Sequence, residues 1–166
     1  MKTKISALFI LLFSITVFSQ NGFKTLVQKH PLHTKKQCKK AEPTVLKLAN
    51  YLITNPLHKD DIKRMNIAKY IQRWAVQTPD YNIEIPQEIQ KITKDKKALR
   101  TVHKAFLVNY VLTHKNEDTK SKKVRSVVLI SFLNYIEKPK NEVKITAQIK
   151  KYIQFKNQKK LYKLIQ

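Results

Sequence analysis

The stretch KKVRSVVLISFLNYIE, residues 122–137, decides the fold class. Its middle, Val127 to Leu133, is apolar at every position but Ser131, and three of those residues are β-branched. Two structures suit such a run: a buried strand, or a helix at the centre of a bundle, because a helix apolar on nearly every side is normally enclosed. A buried strand needs partners. Elsewhere the alternation of a strand extends no further than Ile83-Glu84-Ile85, and three residues cannot build a sheet. Residues 122–137 are therefore predicted to be helical, and the chain all-α.

The flanking segments agree with helices. Upstream, Leu99, Val102, Phe106 and Tyr110 keep helical spacing, and Leu107, Val111 and Leu112 widen the stripe, which predicts a helix over 95–113. Residues 116–121 are a polar linker. A short helix follows Pro86 as far as Thr93, with Ile89 and Ile92 inward. Before it come the turn Thr78-Pro79-Asp80-Tyr81 and a strand-like connector at 83–85. Asp60 or Asp61 can cap a helix running to Gln77, with Ile67, Ile71 and Trp74 on one stripe. Pro43 opens the first firm helix, 43–54, where Val45, Leu48, Ala49 and Leu52 repeat at i, i+3, i+4 and i+7 before Asn55-Pro56 breaks it.

Downstream, Lys138-Pro139-Lys140-Asn141 is a second break. A last segment places Ile145, Ile149, Tyr152 and Ile153 on one face and bends before Leu161, Leu164 and Ile165. Residues 138–166 hold nine lysines against one acid, Glu142, so this end is basic and amphipathic. Covering the bundle is its expected role; lying on an anionic membrane is the alternative.

The N-terminus has the features of an export signal. Lys2 and Lys4 lie in a short positive region, residues 5–18 are mostly apolar, and Val17 and Ser19 offer small residues for cleavage before Gln20. Fourteen residues of helix reach roughly 21 Å, short of the ~30 Å of a bilayer core. Three regions are thus expected: a signal peptide at 1–19, a basic and partly flexible leader at 20–41, and a helical domain at 42–166. A single irregular bundle of five or six helices with one short extended connector is the expected architecture. No second stretch is long and apolar enough to span a membrane once the signal is removed. Cys38, the one cysteine, cannot form an internal disulfide and is expected to be a free thiol.

Charge is the strongest global feature. The 166 residues carry 34 Lys and Arg against 11 Asp and Glu, a formal net charge of +23. Loss of Lys2 and Lys4 with the signal would leave +21 on the remaining 147 residues. Such a balance points to anionic partners. Only Arg64, Arg73, Arg100 and Arg125 are arginine, however, and reading bases or phosphates relies on the planar bidentate guanidinium. Lysine clusters at Lys35, Lys36, Lys39 and Lys40 and at Lys150, Lys151, Lys159 and Lys160 suit diffuse attraction, not specific nucleic-acid recognition.

Motifs that carry chemistry are missing. With Gly22 the only glycine, no phosphate-cradling loop, dinucleotide fingerprint or G-x-S-x-G elbow can be written. His30, His33 and Cys38 have a spacing that could ligate a metal, but they stand among lysines without a fourth ligand and are expected to be a chance cluster. His103 falls at the edge of a helical stripe and is expected at the core boundary. Asp80 and Glu84 are the acids closest to a cleft-forming turn, although no catalytic, cofactor or metal residue is assigned. Most aromatics sit at helical spacing and belong to the core. Trp74, Asp80 and Tyr81 mark the one place where a groove is expected.

Ala49-Asn50-Tyr51-Leu52, Asn55-Pro56-Leu57, Trp74, Thr78-Pro79-Asp80-Tyr81 and Pro139-Lys140-Asn141 together resemble a group of small exported helical proteins of Gram-negative bacteria. The likeness covers residues 43–155 and implies export and helicity; the group has no established activity, so it implies no site residues. The expectation is an exported, noncatalytic protein of the periplasm or cell exterior that associates electrostatically with anionic envelope polymers. No cofactor is implied, and peripheral membrane contact is compatible with the charge. A module that grips an envelope protein through an apolar or aromatic groove is the alternative, and a small envelope enzyme comes third.

Overall fold

The computed structural model describes residues 20–58, 61–94 and 96–165, and every regular element among them is helical. The expected signal at 1–19 and Asp60 lie outside the described residues. Among the described residues there are eight α-helices: α1 (Gln20–Lys29), α2 (Lys35–Lys40), α3 (Glu42–Thr54), α4 (Ile62–Gln77), α5 (Gln87–Thr93), α6 (Lys97–Thr113), α7 (Lys122–Ile136) and α8 (Ala147–Asn157). Short 3₁₀ turns, Pro139–Asn141 and Leu161–Leu164, flank α8. The starts of α4, α7 and α8 are set by polar caps. Asp61 accepts the Arg64 amide at 3.0 Å, Ser121 that of Val124 at 3.3 Å and Thr146 that of Ile149 at 3.3 Å, each satisfying an orphan N–H of a first turn.

Helices α3 to α8 are those expected from the sequence, and α1 and α2 are additional. Both arise in the segment expected to be a partly flexible leader. Thr34 and Gln37 form a reciprocal capping box: the Thr34 hydroxyl accepts the Gln37 amide, and the Gln37 side chain accepts the Thr34 amide. Leu32, Cys38 and Ala41 are then buried in the same cluster as Val45 and Leu48 of α3. Two hydrogen bonds from α4 fasten the segment: Tyr70 donates to the His30 carbonyl at 2.7 Å, and Trp74 Nε1 donates to the Cys38 carbonyl at 3.0 Å. A boundary at residue 42 therefore does not divide the core.

The core has two clusters, one built on α2, α3, α4, α6 and the first half of α7 and the other on α5, α6, the second half of α7 and α8, and Phe106 packs against both. The connector at 83–85 is not a strand, but its alternation is realised. Ile83 enters the first cluster, Ile85 packs on the second, and Glu84 between them is exposed. The central helix is α6, which packs on α3, α4, α5 and α7. That corrects the expectation for α7. Lys123, Val127, Ile130 and Asn134 form a solvent-facing stripe on it, with Val127 40% and Ile130 39% exposed. The polar ends of that stripe identify it, and its two apolar middle positions conceal it.

The basic C-terminal segment covers the bundle. Ile149, Tyr152, Leu161 and Ile165 all enter the second cluster, whereas Ile145 lies before the Thr146 cap and is 45% exposed. At the other break, the carbonyls that end α3 receive side chains from three elements. Arg64 donates to the carbonyls of Leu52 at 3.0 Å and Asn55 at 3.2 Å, Tyr135 also donates to Asn55 at 3.0 Å, and Lys140 donates to Thr54. The Asn55-Pro56 break is thereby a joint between α3, α4 and α7.

Candidate functional site

All eight lysines of the two expected clusters are exposed. Lys35, Lys36, Lys39 and Lys40 surround the buried Cys38 on α2, over the first core cluster. Lys150 and Lys151 flank the buried Ile149 and Tyr152 on α8, and Lys159 and Lys160 follow that helix, over the second cluster. The basic surface thus spans both halves of the core. Carboxylates are disposed differently. Glu88 is buried, Glu137 pairs with Lys156, and Asp61 caps α4. Four of the eleven acids, Glu42, Asp80, Glu117 and Asp118, line a single depression.

That depression, about 500 Å³, is where the expected groove falls. Asp80 and Tyr81 line it. Trp74 does not: it is fully buried, and it backs the Tyr81 ring with centroids 5.8 Å apart. The indole is therefore a structural anchor, with its one N–H donor spent on the Cys38 carbonyl. Local pairing neutralises much of the acid. Lys115 meets Glu42 at 3.4 Å and Lys123 meets Glu117 at 3.1 Å, while the Tyr110 hydroxyl donates to Glu117 at 2.8 Å. These bonds to Tyr110 and Lys123 hold the Glu117 carboxyl below its ordinary range. Burial, with the charge of Glu42, raises Tyr81, so it stays a neutral phenol.

A second depression, about 430 Å³, adjoins the first and shares Asn82 and Thr119 with it. Its walls include Ile85, Pro86, Leu107 and Val128, together with two buried polar features. One is His103, expected at the core boundary but 2% exposed, its ring edge-on to Phe132 at 5.4 Å. Burial, aided by the charge of Lys104, holds this imidazole down at about 3, so it is neutral at ordinary pH. Its Nδ1 has no hydrogen-bond partner among the described residues. The other is a buried ion pair between α7 and α5: Arg125 donates to Glu88 through Nε at 3.1 Å and through Nη2 at 2.6 and 2.5 Å. Neither had a motif to betray it, since its members lie 37 positions apart and His103 is a lone histidine.

For catalysis, the two expected carboxylates do not converge. Asp80 lines the first depression and Glu84 the second, and both are exposed. Around Cys38 the potential ligands are also separated: the thiol is buried while His33 is exposed. No group of three potential metal ligands converges among the described residues. No described helix is long and apolar enough to cross a membrane.

Comparison with protein-family models, with curated proteins and with solved structures returns no match.

Proposed function

We propose that this protein is an exported, noncatalytic basic protein that associates electrostatically with anionic material of the cell envelope. The observation that carries the proposal is the segregation of charge. Seven of the nine described carboxylates are buried, paired, used as caps or gathered in one depression, with Glu84 and Glu142 exposed, whereas the eight clustered lysines are exposed over both halves of a molecule of net charge +23. Lysine suits this role, because an ammonium is a strongly hydrated point charge that attracts any polyanion without fixing its geometry. The signal-like residues 1–19 and the resemblance to exported helical proteins support placement outside the cytoplasm.

Binding of this kind releases counterions, so the logarithm of affinity falls linearly with the logarithm of salt concentration. The test is a titration of the purified protein with lipopolysaccharide, an anionic glycan and duplex DNA, starting at about 150 mM salt, where screening reaches over about 8 Å. Similar affinities and similar steep salt slopes support the proposal. Capture of one component that survives high salt would replace it with a shaped interface, and the groove beside Tyr81 would then be the place to look.

A further inference from the structure

We propose that the groove between α4 and α6 binds one molecule of a single-chain anionic amphiphile, its hydrocarbon chain along the apolar end and its anionic head at Arg100 and Lys104. Both helices pack on α3, and two depressions of about 350 and 340 Å³ lie between them, sharing Ala68, Lys69, Lys97 and Thr101. Each volume falls within the range of small-molecule sites, about 300–1,000 Å³. Together they form one elongated site. Its α4 wall runs from Asp61 to Gln72, roughly 16 Å at the rise of an α-helix, which suits a chain better than a compact solute. None of the eight clustered lysines lines either depression, so the site is separate from the diffuse basic surface.

One end of the groove is cationic. Lys97, Arg100 and Lys104 recur at i, i+3 and i+7 on one face of α6, and Lys69 of α4 lines the same depression. The described residues lining this end include no carboxylate, and none of the four cations forms an ion pair among the described residues. Lys104 is half-buried, and its ammonium donates to the neutral amide of Gln72. Burial holds it below its ordinary range. An anion supplies the missing counter-charge where partial desolvation makes it worth more than on an exposed lysine, and the half-buried Arg100 adds a planar fork of donors. The other end is apolar, lined by Leu52, Leu57, Met65, Ala68 and Ala98. Its one described carboxylate, Asp61, caps α4, and Arg64 spends its guanidinium on the carbonyls of Leu52 and Asn55. Met65, 48% exposed, is left for a hydrocarbon chain to cover. Only a molecule with both a chain and an anionic head uses both ends.

The test is an NMR titration of the purified protein with octyl phosphate, below the concentration at which it forms micelles. Inorganic phosphate, octanol and octyltrimethylammonium separate the contributions of head and chain. Octyl phosphate should shift the Met65 and Ile71 methyls saturably, with one molecule bound, and should bind about tenfold or more tightly than each of the other three. Ala98→Trp, at an exposed position on the apolar end, should weaken octyl phosphate about tenfold or more and leave inorganic phosphate unchanged. Lys104→Met, which keeps an apolar stem and removes the charge, should weaken octyl phosphate about tenfold and leave octanol unchanged. Equal binding of inorganic and octyl phosphate would mean attraction by charge alone and overturns the proposal. So would octanol binding as tightly as octyl phosphate, or octyl phosphate binding indifferent to Ala98→Trp or to Lys104→Met.

Discussion

His103 gains a proton in the unfolded chain near its ordinary value of 6.5, but in the folded protein only near 3. Between those limits the unfolded state holds more protons, so folding stability rises with pH and falls as the solution is acidified. The limiting slope is about 1.4 kcal/mol per pH unit. Urea midpoints measured between pH 7 and pH 4 should therefore fall steadily, and the decline should be largely abolished in His103→Leu. An identical slope in the variant would show that other groups carry the acid sensitivity. The pairing of Glu88 with Arg125, which lines the same depression as His103, makes a second prediction. Glu88→Gln leaves a guanidinium that is 16% exposed without its counter-charge, and should cost about 3–5 kcal/mol in urea denaturation. A loss below about 1 kcal/mol would place the pair among exposed bridges of little worth.

At the scale of elements, α2 depends on α4. The Tyr70 and Trp74 hydrogen bonds reach the carbonyls of His30, just after α1, and of Cys38, within α2. Loss of one such bond costs about 1 kcal/mol. In the double variant Tyr70→Phe/Trp74→Phe, amide exchange should accelerate across 30–41 while α6 stays protected; uniform acceleration would mean the segment unfolds only with the whole. The sequence made much of this architecture legible. Periodic apolar stripes marked α3, α4 and α6, prolines marked the breaks, and Asp61, one of two candidate caps, stood where α4 needed one. The leader misled because its lysines, Pro31 and lone glycine outweighed a capping box that was present in Thr34 and Gln37. The centre of the bundle misled because Val127 and Ile130 are apolar yet exposed. Of the expected groove, Asp80 and Tyr81 lie at a depression, but Trp74 lies beneath it, since a buried aromatic and a groove-lining one have the same helical spacing. Burial of His103 and the pairing of Arg125 with Glu88 depend on how α5, α6 and α7 meet, which no local pattern encodes.

At the scale of the whole molecule, the consequence of +23 is long-range attraction with little geometric preference. The lysine groups on α2 and on and after α8 overlie different core clusters, so a polyanion can engage either. Affinity is then shared among many side chains, and a single change such as Lys36→Ala or Lys151→Ala should leave binding nearly unaltered. Reversing all of Lys35, Lys36, Lys39 and Lys40 should reduce both affinity and salt slope, because fewer counterions are released. The most direct test is the affinity of the purified protein for lipopolysaccharide, an anionic glycan and DNA as salt is raised from about 150 mM. Electrostatic association predicts parallel, steep losses for all three and near silence of Lys151→Ala. Salt-resistant binding to one of them, or its abolition by that single substitution, would contradict it.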